Sequence, residues 1–188
     1  HQNDGGLKML NGNIGKCVAK ISAVKEEFRY IKAKTLVFND QEEVKKAYEK
    51  GKLNRNVIIV VRNQGPKANG MPELHSLTPM LSNVQDLGFK VALLTDGRMS
   101  GASGKILAAI HVTPEAIDNG VIGKIEDDDE IEIDANNGKL NILTDISKRK
   151  NSLLNDMKKN QSFGRNIFNT LRIHSQGSEE GGGIKLID

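Results

Sequence analysis

A chain of 188 residues with 37% hydrophobic content holds enough apolar material for one sizeable core, yet no run approaches the ~20 apolar residues that cross a bilayer. Its 27 Lys+Arg against 24 Asp+Glu give a charge of only +3, aromatics are 4% and Trp is absent, so the stacking aromatics of a nucleic-acid binder are missing. The lone Cys17 excludes an internal disulfide and cannot alone ligate a structural zinc ion or an iron–sulfur cluster. Nothing N-terminal resembles a signal peptide, a cytoplasmic location is the simplest expectation, and the starting residue His1 suggests a chain cut from a larger one.

Val18 to Val24 reads as a weak strand and Lys34 to Phe38 as a better one, because β-branched and aromatic residues cluster there. Asp40 followed by Glu43 has capping-box spacing and predicts a helix over 40–50, stopped by Gly51. Val57 to Val61 is continuously apolar, which predicts a strand buried on both faces. A loop from Asn63 to Pro72 leads into a predicted helix over 73–87, closed by Gly88. Val91 to Leu94 is a second buried strand, followed by the small-residue loop Thr95 to Gly104 and a strand from Ile106 to Val112.

Thr113 with Pro114 predicts a short helix with Pro at its first position, ended by Asn119 and Gly120. Val121 to Ile125, Glu130 to Asp134 and Lys139 to Leu143 read as short strands, the last two separated by the turn at Asn136 to Gly138. A lysine-rich helix is expected over 145–157, followed by Phe163 to Ile173 and a glycine-rich end. Many short strands with few helices imply a mixed β fold with peripheral α, a closed or flattened barrel. The division expected is a barrel domain over 1–145 and a C-terminal extension over 146–188.

Two glycine-rich loops, each after a buried strand, are the expected place for chemistry, since rigid strands position polar loops at a sheet edge. The second, TDGRMSGASGK, fails as a phosphate-cradling P-loop: Gly97 and Gly104 enclose six residues rather than four, and Ile106 stands where Ser or Thr is required. What remains is Ser100 exposed on a turn beside Arg98, able to be a nucleophile, a strongly activated base or a turn former. Glu73 begins the predicted helix, where the helix dipole favours a carboxylate, so capping alone accounts for it. Asp96 can join a ligand set or orient Arg98 or a loop amide. His75, His111 and His174 lack metal-ligand spacing, and no G-x-S-x-G signals a serine triad.

The segments GGLKMLNGNIG (5–15), GPKANGMPELHSLTP (65–79), KVALLTDGRMSGASGK (90–105), AAIHVTPEAIDNG (108–120) and DDDEIEID (127–134) together resemble the C-terminal domain of the dihydroxyacid dehydratase / 6-phosphogluconate dehydratase family. Its phosphogluconate branch is the better match, in both loops and in the tail SFGRNIFNTLR…GSEEGGGIKLI. The resemblance implies a barrel similar to the swivelling domain of aconitase-like dehydratases, closing over an iron–sulfur cluster (4Fe-4S) held by a longer N-terminal domain. It also implies Mg2+, a homodimer at full length, and a hydro-lyase that removes water from 6-phospho-D-gluconate to give 2-keto-3-deoxy-6-phosphogluconate in the Entner–Doudoroff pathway.

On the matching positions, Glu73 would be the magnesium ligand supplied by this domain and Ser100 the base taking the C2 proton. Lys67, Asp96, Arg98 and Lys105 are candidate substrate or loop contacts. Ala102 departs from related sugar-acid dehydratases that carry Thr there, so no second hydroxyl is expected. Two other readings stay open: a dehydratase acting on a different dihydroxy or sugar acid, and a small module whose loops bind an anion without chemistry.

Overall fold

The computed structural model describes residues 5–100, 105–151 and 169–185. Eight strands form one closed barrel: β1 (Leu7–Gly12), β2 (Gly15–Lys20), β3 (Tyr30–Phe38), β4 (Val57–Val61), β5 (Val91–Thr95), β6 (Leu107–Thr113), β7 (Glu130–Asp134) and β8 (Lys139–Ile142). Their order around the barrel is β1-β2-β6-β5-β4-β3-β7-β8. β3, β4, β5 and β6 run parallel to one another, and the remaining pairs are antiparallel except the closing contact of β1 with β8, which is parallel at Asn11 and Lys139.

The strand sequences explain why the sheet closes and why one side of it is covered. Successive side chains alternate faces, so Ile58, Val60, Ala92, Leu94, Leu107 and Ala109 enter the barrel with Leu10, Cys17, Ile131, Ile133 and Leu140. The alternate residues Val57, Ile59, Val61, Val91 and Leu93 point outward into a second core. That core is completed by Val44 and Ala47 of α1 (Gln41–Glu49) and by Leu77, Leu81 and Val84 of α3 (Leu77–Asp86). The continuous apolar runs of β4 and β5 are therefore strands with two buried faces, as parallel strands under helices must be.

α1 starts where the capping pair placed it: the Asp40 carboxylate accepts from the Glu43 amide at 2.9 Å, and Glu43 Oε2 accepts from the Asn39 amide at 2.8 Å. The helix expected over 73–87 begins at Leu77 instead, and a separate short turn of helix, α2 (Pro66–Asn69), precedes it. Pro72 biases the residue before it away from helix, and Met71 has a φ of 54°, so the chain stays irregular through Glu73.

Other boundaries also moved. The sequence signals a strand only from Val18, whereas β1 and β2 form an N-terminal hairpin from Leu7 to Lys20, and residues 21–24 lie past the strand end. Thr113–Pro114 is a cis peptide, with a 3-10 turn at Ala116–Asp118 rather than a helix opening on Pro114. Val121 to Ile125 is not a strand: Val121–Lys124 is 3-10 helix, with Ile122 and Ile125 wedged into the barrel core. Residues 145–151 are not helical, and the rest of the helix expected over 145–157 lies outside the described residues.

Residues 169–185 carry α4 (Asn169–Ile173) and fold back onto the barrel. Lys16 Nζ meets Glu179 Oε1 at 2.6 Å, and Ser175 pairs with Ile184. No helix among the described residues is long and apolar enough to cross a membrane.

Candidate functional site

Because β4 and β5 are parallel neighbours in register from Val57↔Val91 to Val61↔Thr95, the loops that follow them leave the same end of the barrel. The adjacent C-terminal ends of parallel strands are where α/β proteins build sites. The two loops are joined by their backbones: Glu73 and Arg98 form a parallel bridge, and the Leu74 amide donates to the Arg98 carbonyl at 3.2 Å. Gly97 allows the approach, since a Cβ there would stand 2.5 Å from Gln64 Cβ.

On this bridge the Ser100 amide donates to Glu73 Oε1 at 2.7 Å, and Arg98 Nε lies 4.0 Å from Glu73 Oε2 while donating to the Met71 carbonyl at 2.8 Å. His75 Nδ1 is 3.4 Å from the Ser100 carbonyl oxygen. Ser100 and Arg98 are exposed and Glu73 half-buried, so a hydroxyl, a carboxylate and a guanidinium share one accessible surface. Met99 between them is buried, receiving the Thr78 hydroxyl at 3.4 Å from its sulfur, which anchors the turn that presents Ser100.

Asp96 has a different part. It is fully buried, and its carboxylate accepts from the amides of Asn63 (3.1 Å), Gln64 (2.8 Å) and Ala116 (3.1 Å). Burial pushes its carboxyl upward, while those amides oppose the shift. It ties the loop after β4 to the turn after β6, and the sequence offered this loop-amide role beside the ligand role.

Lys67 lies on α2, away from the bridge, with its ammonium 2.6 Å from Asp118 Oδ2. It faces a cleft of about 610 Å³ also lined by His174, Gln176 and Lys185. Lys105 is exposed at the entry to β6. Residues 101–104, Ala102 among them, lie outside the described residues.

Glu115 is a further carboxylate that sequence reasoning does not single out. It is fully buried and packs against α2, and burial pushes its carboxyl up to about 7. Its motif, HVTPEA, was legible, but nothing in a sequence marks one carboxylate as buried. His111 is a second addition: it has a φ of 58° within β6, donates its amide to the Gly97 carbonyl at 2.9 Å, and is kept low in pKa by burial and by Arg98.

Metal chemistry fits this chain only in part. A magnesium ion takes about six oxygens in an octahedron, and among the described residues no three His, Cys, Asp or Glu side chains converge to hold a metal. Glu73 Oε2 has no hydrogen bond among the described residues, with Arg98 Nε 4.0 Å away, and is suited to be one ligand of a site completed elsewhere. An iron–sulfur cluster does not fit: Cys17, the sole cysteine, faces the barrel core, and burial pushes its thiol up to about 12, whereas a cluster needs thiolates.

Comparison with known proteins gives the class. The family described as Dihydroxy-acid/6-phosphogluconate dehydratase C-terminal matches residues 1–182, and the chain belongs to that family. It is 53% identical over 186 residues to the phosphogluconate dehydratase of Rhizobium meliloti, covering 97% of this chain and 31% of that protein. It is 47% identical over 180 residues to the phosphogluconate dehydratase of Escherichia coli K12, covering 94% of this chain and 30% of that protein. Likeness to the dihydroxy-acid dehydratase of Campylobacter lari is 44% over 156 residues, covering 80% of this chain and 27% of the relative. The chain thus spans less than a third of the length of these relatives.

Proposed function

We propose that this chain is the C-terminal domain of a phosphogluconate dehydratase, a hydro-lyase that eliminates water from 6-phospho-D-gluconate to give 2-keto-3-deoxy-6-phosphogluconate. The observation that carries the reading is the bridge on which Ser100 and Glu73, 27 positions apart, meet at 2.7 Å on an accessible surface. The relatives named phosphogluconate dehydratase, matched at 47% and 53% identity, support the substrate.

In the elimination, a base takes the C2 proton, the C–H electrons form the C2=C3 double bond, and the C3–O bond breaks. The hydroxide released from C3 and the proton taken from C2 together make up the water lost. The enol tautomerises to the 2-keto acid by losing its C2 hydroxyl proton and gaining one at C3. Metal ions, when bound, supply Lewis-acid polarisation of the carboxylate and of the departing hydroxyl.

Ser100 is the base in this proposal, taking the C2 proton at Oγ. A serine hydroxyl is a weak base until neighbouring positive charge favours its ionised form. Arg98, two residues away on the exposed side of the same turn, contributes part of that charge. Glu73 offers Oε2 as one magnesium ligand and uses Oε1 to fix the Ser100 backbone. Arg98, Lys105 and Lys67 are cations near these loops that can turn to a carboxylate and a phosphate, with Lys67 shared with Asp118.

A domain of this kind is incomplete alone. The chain by itself is expected to hold no iron and to form no keto acid, while the full-length protein does both. Iron quantification and a keto-acid assay on the two proteins side by side check this. Stoichiometric iron or sustained turnover in the isolated chain would contradict the proposal and favour a self-sufficient module.

A further inference from the structure

Glu115 differs from the other buried carboxylates among the described residues. Asp96, Asp129 and Asp134 each accept several hydrogen bonds no longer than 3.1 Å. Among the described residues Glu115 accepts two long ones, Oε1 from the Lys67 amide and Oε2 from the Ala68 amide, both at 3.4 Å. Its backbone is rigidly placed: the Glu115 carbonyl accepts from the amides of Asp118 (3.0 Å) and Gly120 (2.9 Å). The neighbouring Ala116 amide is held by Asp96. Gly65 makes the room for the carboxylate, since a Cβ there would stand 2.2 Å from Glu115 Oε2.

The segment pressed by Glu115 is the one that leads to Glu73. Gly65 carries the Met71 amide on its carbonyl at 3.3 Å, and the Met71 carbonyl accepts from Arg98 Nε at 2.8 Å. Two residues later Glu73 holds the Ser100 amide. A continuous set of contacts therefore runs from Glu115, through Gly65 and Met71, to Arg98, Glu73 and Ser100.

We propose that Glu115 is a positioning residue for the Glu73-bearing loop: its buried carboxylate seats Gly65 to Ala68 and thereby sets where Glu73 meets Ser100. The role in turnover rests on the dehydratase reading above; the seating of the loop does not.

The environment makes the seating proton-linked. Burial raises the carboxyl from 4.5 to about 7, the Lys67 and Ala68 amides oppose that shift, and Asp96 and Asp118 add to it. The charged groups facing Glu115 are Asp96 at the end of β5, Asp118 on the 3-10 turn, and Lys67 on α2, whose ammonium is paired with Asp118. A carboxyl that leaves this pocket for water returns to its ordinary value, so the seated state binds the proton more tightly than the unseated one. The seating contribution is fully present below about pH 4.5 and is lost as pH rises through 7. The gap between the two values corresponds to roughly a hundredfold change in the unseating equilibrium.

The test is hydrogen–deuterium exchange of the 63–74 segment in the full-length protein from pH 5 to 8, corrected for the intrinsic pH dependence of exchange. It is combined with kcat and KM for 6-phosphogluconate. In the wild type, protection of the segment should fall by up to roughly a hundredfold between pH 5 and 7 and then level. Glu115→Gln, neutral at every pH, should stay protected throughout. Glu115→Ala should lose protection and lower kcat roughly tenfold with little change in KM, a loss that Gln rescues. Should Glu115→Ala fail to fold, the wild-type and Gln curves still decide. A flat wild-type curve, or a Gln curve that follows the wild type, overturns the proposal. Absent turnover of 6-phosphogluconate alongside the predicted exchange curves would overturn the dehydratase reading and leave the seating standing.

Discussion

If the dehydratase proposal holds, Ser100→Ala in the full-length protein is expected to lower kcat and kcat/KM together by about 10³-fold, within the range for a removed general base. The geometry makes this a clean substitution. The group that Glu73 Oε1 holds at 2.7 Å is the Ser100 backbone amide, which alanine keeps, so the bridge between the loops survives and only the hydroxyl is lost. Met99, buried on the preceding position, continues to anchor the turn. Metal content and KM should therefore stay near wild type. Steady-state kinetics with metal analysis checks it, and turnover within about tenfold of wild type would return Ser100 to the role of a turn former.

The second large effect is expected at Glu73. Glu73→Gln preserves a side-chain carbonyl that can accept from the Ser100 amide, but it removes the charge on the oxygen offered to a cation. Magnesium affinity should fall by about 10–100-fold, as when metal-site contacts are altered, with turnover recovering at high magnesium. Stability should change little, because the Arg98 pair at 4.0 Å is partly exposed and such pairs contribute about 0–1 kcal/mol. Activity titrations against magnesium in both proteins read the shift. An unchanged magnesium dependence would place the ligand elsewhere.

Much of this architecture was legible because its signals are local. Val57 to Val61 and Val91 to Leu94 announce themselves as strands under two cores by unbroken apolar character, and Asp40 with Glu43 marks a helix start that the hydrogen bonds reproduce. The misreadings occur where local pattern and tertiary role diverge. In β1 only Leu10 is buried, so LKMLNG carries almost no alternation. Val121 to Ile125 has strand-like composition, yet its apolar side chains plug the barrel from a 3-10 turn.

The site follows the same logic. Glu73 and Ser100 stand in recognisable motifs, but their contact is a product of β4 and β5 being parallel neighbours, which no spacing rule encodes. The helix that Glu73 would cap begins only at Leu77, and Glu73 Oε1 instead accepts the Ser100 amide from the other loop, a contact that capping propensity does not reveal. Asp96 and Glu115 were harder still. Both are polar residues whose roles depend on complete burial between loops distant in sequence, as Asn63 and Ala116 around Asp96 illustrate.

The substrate is the central claim of the proposed function, and the most direct measurement of it is kcat/KM of the full-length protein for 6-phosphogluconate beside that for a branched, unphosphorylated 2,3-dihydroxy acid. The proposal predicts a preference of at least about a hundredfold for the phosphorylated sugar acid, since polar groups that would pair with its phosphate and hydroxyls are left unpaired by an analogue lacking them. Equal values, or a preference for the dihydroxy acid, would contradict it.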